Sequence, residues 1–424
     1  MAITKIIKDL LASDSGWSTS SENGLRMPTG GAFSGTPLQG MIRNEVGQVS
    51  EGSASTMQHY NGIEWKNFVN FKDAPINALE NFNTVLYPGN GSTKSISTVG
   101  FKPDLVWVKR TTAPEDNVWF DSVRGVQNQL VSNKTNGEST KTNALSSFDT
   151  NGFTTGANNA LNTINQTYVA WCWKAAGAAN TFNVLEGGTV TSDSTASGAG
   201  ITAGSITTGW GVSANRDAGF SIVKYTGNGA NGATLGHGLS QAPELIITKG
   251  LSTAYNWSVV TSLLQNGYLE LNTTSGFNSN SSRYITAGTT TNSLTNYVQF
   301  NQNNINHTSY CFHSVAGYQK VDSYTGTGNT KTISTEVTSG DGGFEPRWIL
   351  IKNTTPGTSG SWWMYDAVRN PSNPRNTRLV ADQNFSEATN TSGNVNFNSN
   401  SFDLLGSYHG TNANNNTYIY LVIA

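Results

Sequence analysis

The chain has 424 residues, enough for several domains, with 25 basic and 27 acidic side chains and a net charge of −2. That balance gives no electrostatic reason to expect nucleic acid or an anionic membrane as a partner. Charged residues make up only 12% of the chain, 45 glycines and many Asn, Ser and Thr take their place, and aromatics at 10% can still fill cores. Such a composition fits all-β domains with short strands and many turns, not a disordered chain.

Taken in order, the chain opens with Ile3, Ile6, Ile7, Leu10 and Leu11, the i, i+3, i+4, i+7, i+8 spacing of one helix face. A helix of about ten residues does not hold alone in water, so it is expected to dock on its own chain, on copies of itself or on a partner. Lys8 and Asp9 break the apolar run, so no secretory leader is expected, and no run approaches a membrane span. Synthesis in a cytoplasm follows. Residues 13–37 are rich in Ser, Thr and Gly and predict an extended linker. Residues 40–44 predict a short strand, and the runs ending at Tyr60 and starting at Glu64 flank Asn61-Gly62, a hairpin signal. Residues 1–75 are therefore expected to be a small anchoring and oligomerisation module of helix, linker and hairpin.

Beyond residue 75 the same signals recur three times in the same order. Each copy opens with a Gly-rich turn: Tyr87-Pro88-Gly89-Asn90-Gly91, Tyr225-Thr226-Gly227-Asn228-Gly229, and Tyr324-Thr325-Gly326-Thr327-Gly328. A marker proline follows (Pro103, Pro243, Pro346), and then an apolar strand that reaches Lys109, Lys249 or Lys352. Each copy closes on an aromatic-rich strand around Trp171, Tyr310 or Leu421, at near-constant distance from its proline. Units of about a hundred residues exceed solenoid repeats and can each hold a core. Helical periodicity is weak throughout. The expected architecture is three tandem antiparallel β-sandwiches of jelly-roll or lectin-like type, at 76–178, 219–318 and 319–424. Residues 179–218 form a linker that lends edge strands to the middle copy.

The two cysteines, Cys172 and Cys311, occupy equivalent positions, where the last copy has Val422. Small apolar residues in buried strands are expected there, not a disulfide. Asp121 with Arg124 recurs as Asp366 with Arg369, while the middle copy has Thr261 and Leu264. This predicts an ion pair at a strand end, not a charged active site. In Trp171-Cys172-Trp173 and Trp362-Trp363-Met364-Tyr365, alternation turns half of each run into the core. The other half could stack on sugars or bury at an interface. No carboxylate pair recurs as a glycosidase requires. The five histidines show no metal spacing, and Gly-His-Gly at 236–238 is a lone loop histidine. No catalytic, metal or cofactor residues are expected. The loop before the final strand offers Tyr408, His409, Asn412 and Asn414 as adaptable polar contacts for a surface.

Residues 35–44 followed by His59-Tyr60-Asn61-Gly62-Ile63-Glu64-Trp65-Lys66 resemble the proximal module of bacteriophage tail-fibre and head-fibre proteins, with Glu45 after Asn44 and no Tyr between Arg43 and Asn44 as departures. The three copies resemble the repeated domain of virion proteins from marine phages, matched at 225–229, 103–109, 361–366 and 417–420. The resemblance implies a virion structural protein of tail-fibre type. It would be anchored through its N-terminus to other virion proteins, without enzyme activity, assembled as a homotrimer and facing a host surface glycan or protein. The implied alternatives are a head-fibre or capsid-decorating protein, and more distantly a polysaccharide depolymerase.

Overall fold

The computed structural model describes residues 18–20, 24–26, 42–45, 56–60, 65–67, 76–175, 181–184, 201–389 and 392–424. The helix expected from Ile3, Ile6, Ile7, Leu10 and Leu11 lies outside them. The chain divides into two compact units, Met1–Pro75 and Ile76–Ala424. In the first, Ser18–Ser20 pairs with Gly24–Arg26. A three-stranded antiparallel sheet joins Ile42–Glu45, Thr56–Tyr60 and Trp65–Asn67, with Tyr60 opposite Trp65.

The second unit is all-β and built three times on one plan. In the first copy the large sheet runs Ser139–Thr140, Asn128–Val131, Val118–Asp121, Leu105–Arg110, Thr167–Trp173, Phe82–Pro88. In the last copy the corresponding order is Ala388–Thr389, Thr377–Val380, Trp362–Asp366, Trp348–Asn353, Thr417–Ile423, Gln319–Thr325. The middle copy repeats it, and strands Thr181–Val184 and Gly211–Asn215 extend its opening edge. A three-stranded sheet covers one face of each large sheet, for example Lys331–Ser334, Ser401–Leu404 and Val395–Asn398 in the last copy.

The Gly-rich turns are not hairpins between neighbouring strands of one sheet. They carry the chain from the large sheet to the small one, as from Phe220–Thr226 to Ala233–Gly236. There the chain passes against the loop before the closing strand. A Cβ on Gly89, Gly227 or Gly326 would fall on the carbonyl oxygen of Thr163, Gln302 or Ala413. The second glycine of each turn, Gly91, Gly229 or Gly328, has a φ of 71°, 68° or 72°.

The central strands are apolar on both faces because both faces are covered. In Trp348–Asn353, Ile349 and Ile351 point into the sandwich of their own copy. Trp348 and Leu350 point the other way, into a second core built jointly by all three copies. That shared core holds Trp107, Trp119, Trp171, Trp173, Trp257, Trp348 and Trp362. Ring pairs cross between copies: Trp119 with Trp257 (5.1 Å), Trp173 with Trp348 (5.5 Å) and Trp173 with Phe220 (6.3 Å). Truncating one such ring typically costs about 3–5 kcal/mol.

The copies close into a ring, which serial sandwiches projecting outward would not do. The Glu138 amide donates to the Leu251 carbonyl (2.6 Å), Phe277 to Thr354 (2.9 Å) and Glu387 to Thr111 (2.9 Å). First copy joins middle, middle joins last and last joins first, through corresponding atoms. A second set repeats the cycle: Trp257 Nε1 donates to Val131 O (2.9 Å), Trp362 Nε1 to Glu270 O (2.9 Å) and Asn117 Nδ2 to Val380 O (3.2 Å). One chain thus makes a pseudo-threefold unit.

Candidate functional site

The loop end of each sandwich is fixed by three side chains at corresponding positions. Tyr87 stacks on Tyr168 (5.4 Å between ring centres), Tyr225 on His307 (5.3 Å) and Tyr324 on Tyr418 (4.9 Å). The Tyr87, Tyr225 and Tyr324 hydroxyls donate to the carbonyls of Leu161 (3.0 Å), Phe300 (2.7 Å) and Thr411 (2.5 Å). A buried asparagine then ties the Gly-rich turn: the amides of Asn90, Asn228 and Thr327 donate to the Oδ1 of Asn162, Asn301 and Asn412.

This removes Asn412 from the expected surface contacts. It is 0% exposed, and its Nδ2 donates to Gly406 O (2.9 Å) and to Asn329 O. Its amide is used inside the fold, as in the other two copies. His409 and Asn414 are exposed and Tyr408 is half-buried. The Tyr408 ring packs on Trp363 (5.4 Å) and on the His409 ring (4.5 Å).

The structure adds two residues that sequence reasoning did not attach to this loop. Trp363, 7% exposed, turns into the sandwich of its own copy, while Trp362 enters the shared core. Arg378, half-buried on the next strand, lies over the Trp363 ring (4.2 Å) and the Tyr408 ring (5.2 Å). Trp363, Arg378 and Tyr408 sit on three separate segments, so spacing along the chain gives no hint that they meet.

The Asp–Arg pairs belong to the seams of the ring. Arg124 Nε donates to Asp121 Oδ2 (2.5 Å) and its Nη1 to Glu138 (2.8 Å), while Tyr310 of the middle copy donates its hydroxyl to Asp121 (2.7 Å). Arg369 repeats this with Asp366 (2.6 Å) and Glu387 (2.9 Å), and Trp171 of the first copy approaches Asp366 through Nε1 (3.3 Å). At the third seam, Thr261 stands at the aspartate position and apolar residues at the other corresponding places. Leu264 and Phe277 pack against the shared core, which contains Leu421.

Two thiols and the His237 ring are buried inside the fold. Cys172 and Cys311 are buried free thiols. His237 is buried, its Nε2 2.9 Å from Gly288 O and its Nδ1 accepting from the Leu239 amide (3.2 Å). Burial pulls its pKa down to about 4. Among the described residues no cluster of His, Cys, Asp or Glu could hold a metal ion, and no helix is long and apolar enough to cross a membrane.

A ring of three all-β sandwiches with a mixed aromatic–arginine corner on the last copy defines the class. Residues 77–424 match the family described as Domain of unknown function (DUF7483), and the chain belongs to that family. No curated protein matches it. A chain from the atomic structure of Sulfolobus Turreted Icosahedral Virus is similar at 11% identity over 80% of this chain and 81% of that one, with a TM-score of 0.13. A likeness at that score carries no argument.

Proposed function

We propose that this protein is a structural component of a bacteriophage particle, of tail-fibre type, anchored by residues 1–75 and presenting the ring of sandwiches for attachment to a host surface. The reading rests on the resemblance of residues 35–66 to phage fibre modules. The observation that carries it in the fold is the ring itself. A turn-rich, weakly charged unit with three equivalent loop ends suits a surface-facing role, in which several weak contacts add up. The N-terminal segment would bind other virion proteins, and no catalysis is assigned. The closed pseudo-threefold unit also favours a second reading, decoration of a capsid at a threefold position. Antibody labelling of purified particles, viewed by electron microscopy, decides between them. Label on tail fibres supports the first reading, label on heads the second, and unlabelled particles sink both.

A further inference from the structure

The three copies are internal controls for one another, and one corner differs in a way that points to a ligand. In the middle copy Arg283 lies over the rings of Tyr268 (3.4 Å) and Tyr297 (4.7 Å). Its charge is met by Glu270 at 2.5 Å. In the last copy, strand register places Arg378 where the middle copy has Tyr268, and Val380 where it has Glu270. Tyr408 stands where it has Tyr297, since the Asn412 and Asn301 amides reach back to Tyr408 and Tyr297 in the same way. Arg378 is again held against two rings, Trp363 and Tyr408, but no carboxylate among the described residues pairs with it. Its Nη1 is shielded from solvent and makes no hydrogen bond.

The fold does not require this arrangement. The first copy has Gln129 and Val118 at the positions of Arg378 and Trp363. The buried guanidinium groups of Arg124, Arg283 and Arg369 each hold a carboxylate at 2.5–2.6 Å, whereas Arg375 lies over the Phe397 ring and holds Asn373 instead. A guanidinium aligned by stacked rings and lacking a counter-charge suits a planar, bidentate anion such as a carboxylate, met through its Nε–Nη2 edge because Nη1 is shielded. The same loop carries Ser407, His409 and Asn414, all exposed, and the His409 ring lies 4.5 Å from the half-buried Tyr408 ring. Hydroxyl, amide and aromatic groups together suit a sugar ring better than an apolar partner.

We propose that the last copy binds the carboxylate of an acidic sugar at Arg378, with the sugar ring against Tyr408 and His409. The proposal rests on the attachment reading above and names its ligand class. It is tested with the full-length chain, using trigalacturonate and its methyl ester as probes in titration calorimetry. The acid is expected to bind at least about tenfold more tightly than the ester, because esterification removes the charge and leaves the ring. Arg378→Gln, which installs the first copy's residue, is expected to erase that gap without moving the unfolding midpoint. Val380→Glu, which installs the middle copy's internal partner, is expected to lower affinity for the acid by competing for Arg378. Equal binding of acid and ester, no binding of either, or unchanged binding by Arg378→Gln each overturns the site. Particle labelling is a separate readout. A chain found on particles that ignores the acid sinks this site alone, and a chain that binds the acid yet labels no particle sinks the attachment reading alone.

Discussion

Asp121 receives two buried side-chain donors, the guanidinium of Arg124 and the hydroxyl of Tyr310 from the next copy, besides the amides of Val123 and Arg124. Removing a carboxylate from such a site strands a buried cation, at a cost of about 3–5 kcal/mol. Replacing the whole polar set by apolar groups of fitting shape is a different operation, often close to neutral. The protein contains both solutions. Two seams carry Asp, Arg, Glu and a ring donor, and the third carries Thr261, Leu264, Phe277 and Leu421 at the same places. Asp121→Ala is therefore expected to destabilise the ring by about 3–5 kcal/mol in urea unfolding. The set Asp121→Thr, Arg124→Leu, Glu138→Phe and Tyr310→Leu is expected to recover most of that loss. A quadruple variant no more stable than Asp121→Ala would show that the seams are not interchangeable. The Asp–Arg repeat was visible in the sequence. Its purpose was not, because Tyr310 and Trp171 come from other copies and nothing along the chain connects them.

At the scale of the element, the three Pro-led strands were legible as buried because Leu105–Lys109, Leu245–Lys249 and Trp348–Lys352 are nearly continuous apolar runs. Such a run says that both faces are covered, but not by what. Here one cover is the small sheet and the other is the neighbouring copies. Each run ends on a buried lysine whose ammonium is held by backbone carbonyls. Lys249 donates to Thr135 of the first copy (2.8 Å) and to Tyr255 (2.6 Å), Lys352 to Gly360 (2.6 Å) and to Thr273 of the middle copy (3.3 Å), and Lys109 to Glu115. Burial lowers the pKa of Lys109 and Lys249 to about 7 and of Lys352 to about 8. Above those values the folded lysines are neutral, while the unfolded chain still binds their protons up to the ordinary value of 10.5. The unfolded state then holds more protons, so stability rises with pH across this window and is lost as pH falls to 7 and below. His237 and His307, both lowered to about 4 chiefly by burial, act in the same direction between 4 and their ordinary 6.5. The urea midpoint is expected to rise between about pH 7 and pH 9, and Lys249→Met should flatten that slope. A midpoint that stays level or falls over this range would show that the buried lysines keep their charge.

For the molecule as a whole, the repeat was legible because turn, proline, lysine and closing strand keep their order and spacing. Closure of the ring was not, because it depends on which tryptophans face inward, and a pair such as Trp362-Trp363 reads the same either way along the strand. The closed ring alters the argument about assembly. The face of each large sheet that would have sought another chain is already covered by the other copies, and the shared core buries Trp107, Trp171, Trp173 and Trp348 almost completely. A second and third chain could add nothing there. Self-association is then expected from residues 1–75, where the short strands Ile42–Glu45, Thr56–Tyr60 and Trp65–Asn67 form a small sheet. Light scattering should find a chain starting at Ile76 to be a monomer, whereas the full-length chain is expected to be the homotrimer of a fibre. If the shortened chain associates as the full one does, the sandwiches carry the contact and the anchoring segment loses its assembly role. If both are monomers, one chain supplies the whole threefold unit, and decoration of a capsid site becomes the better reading.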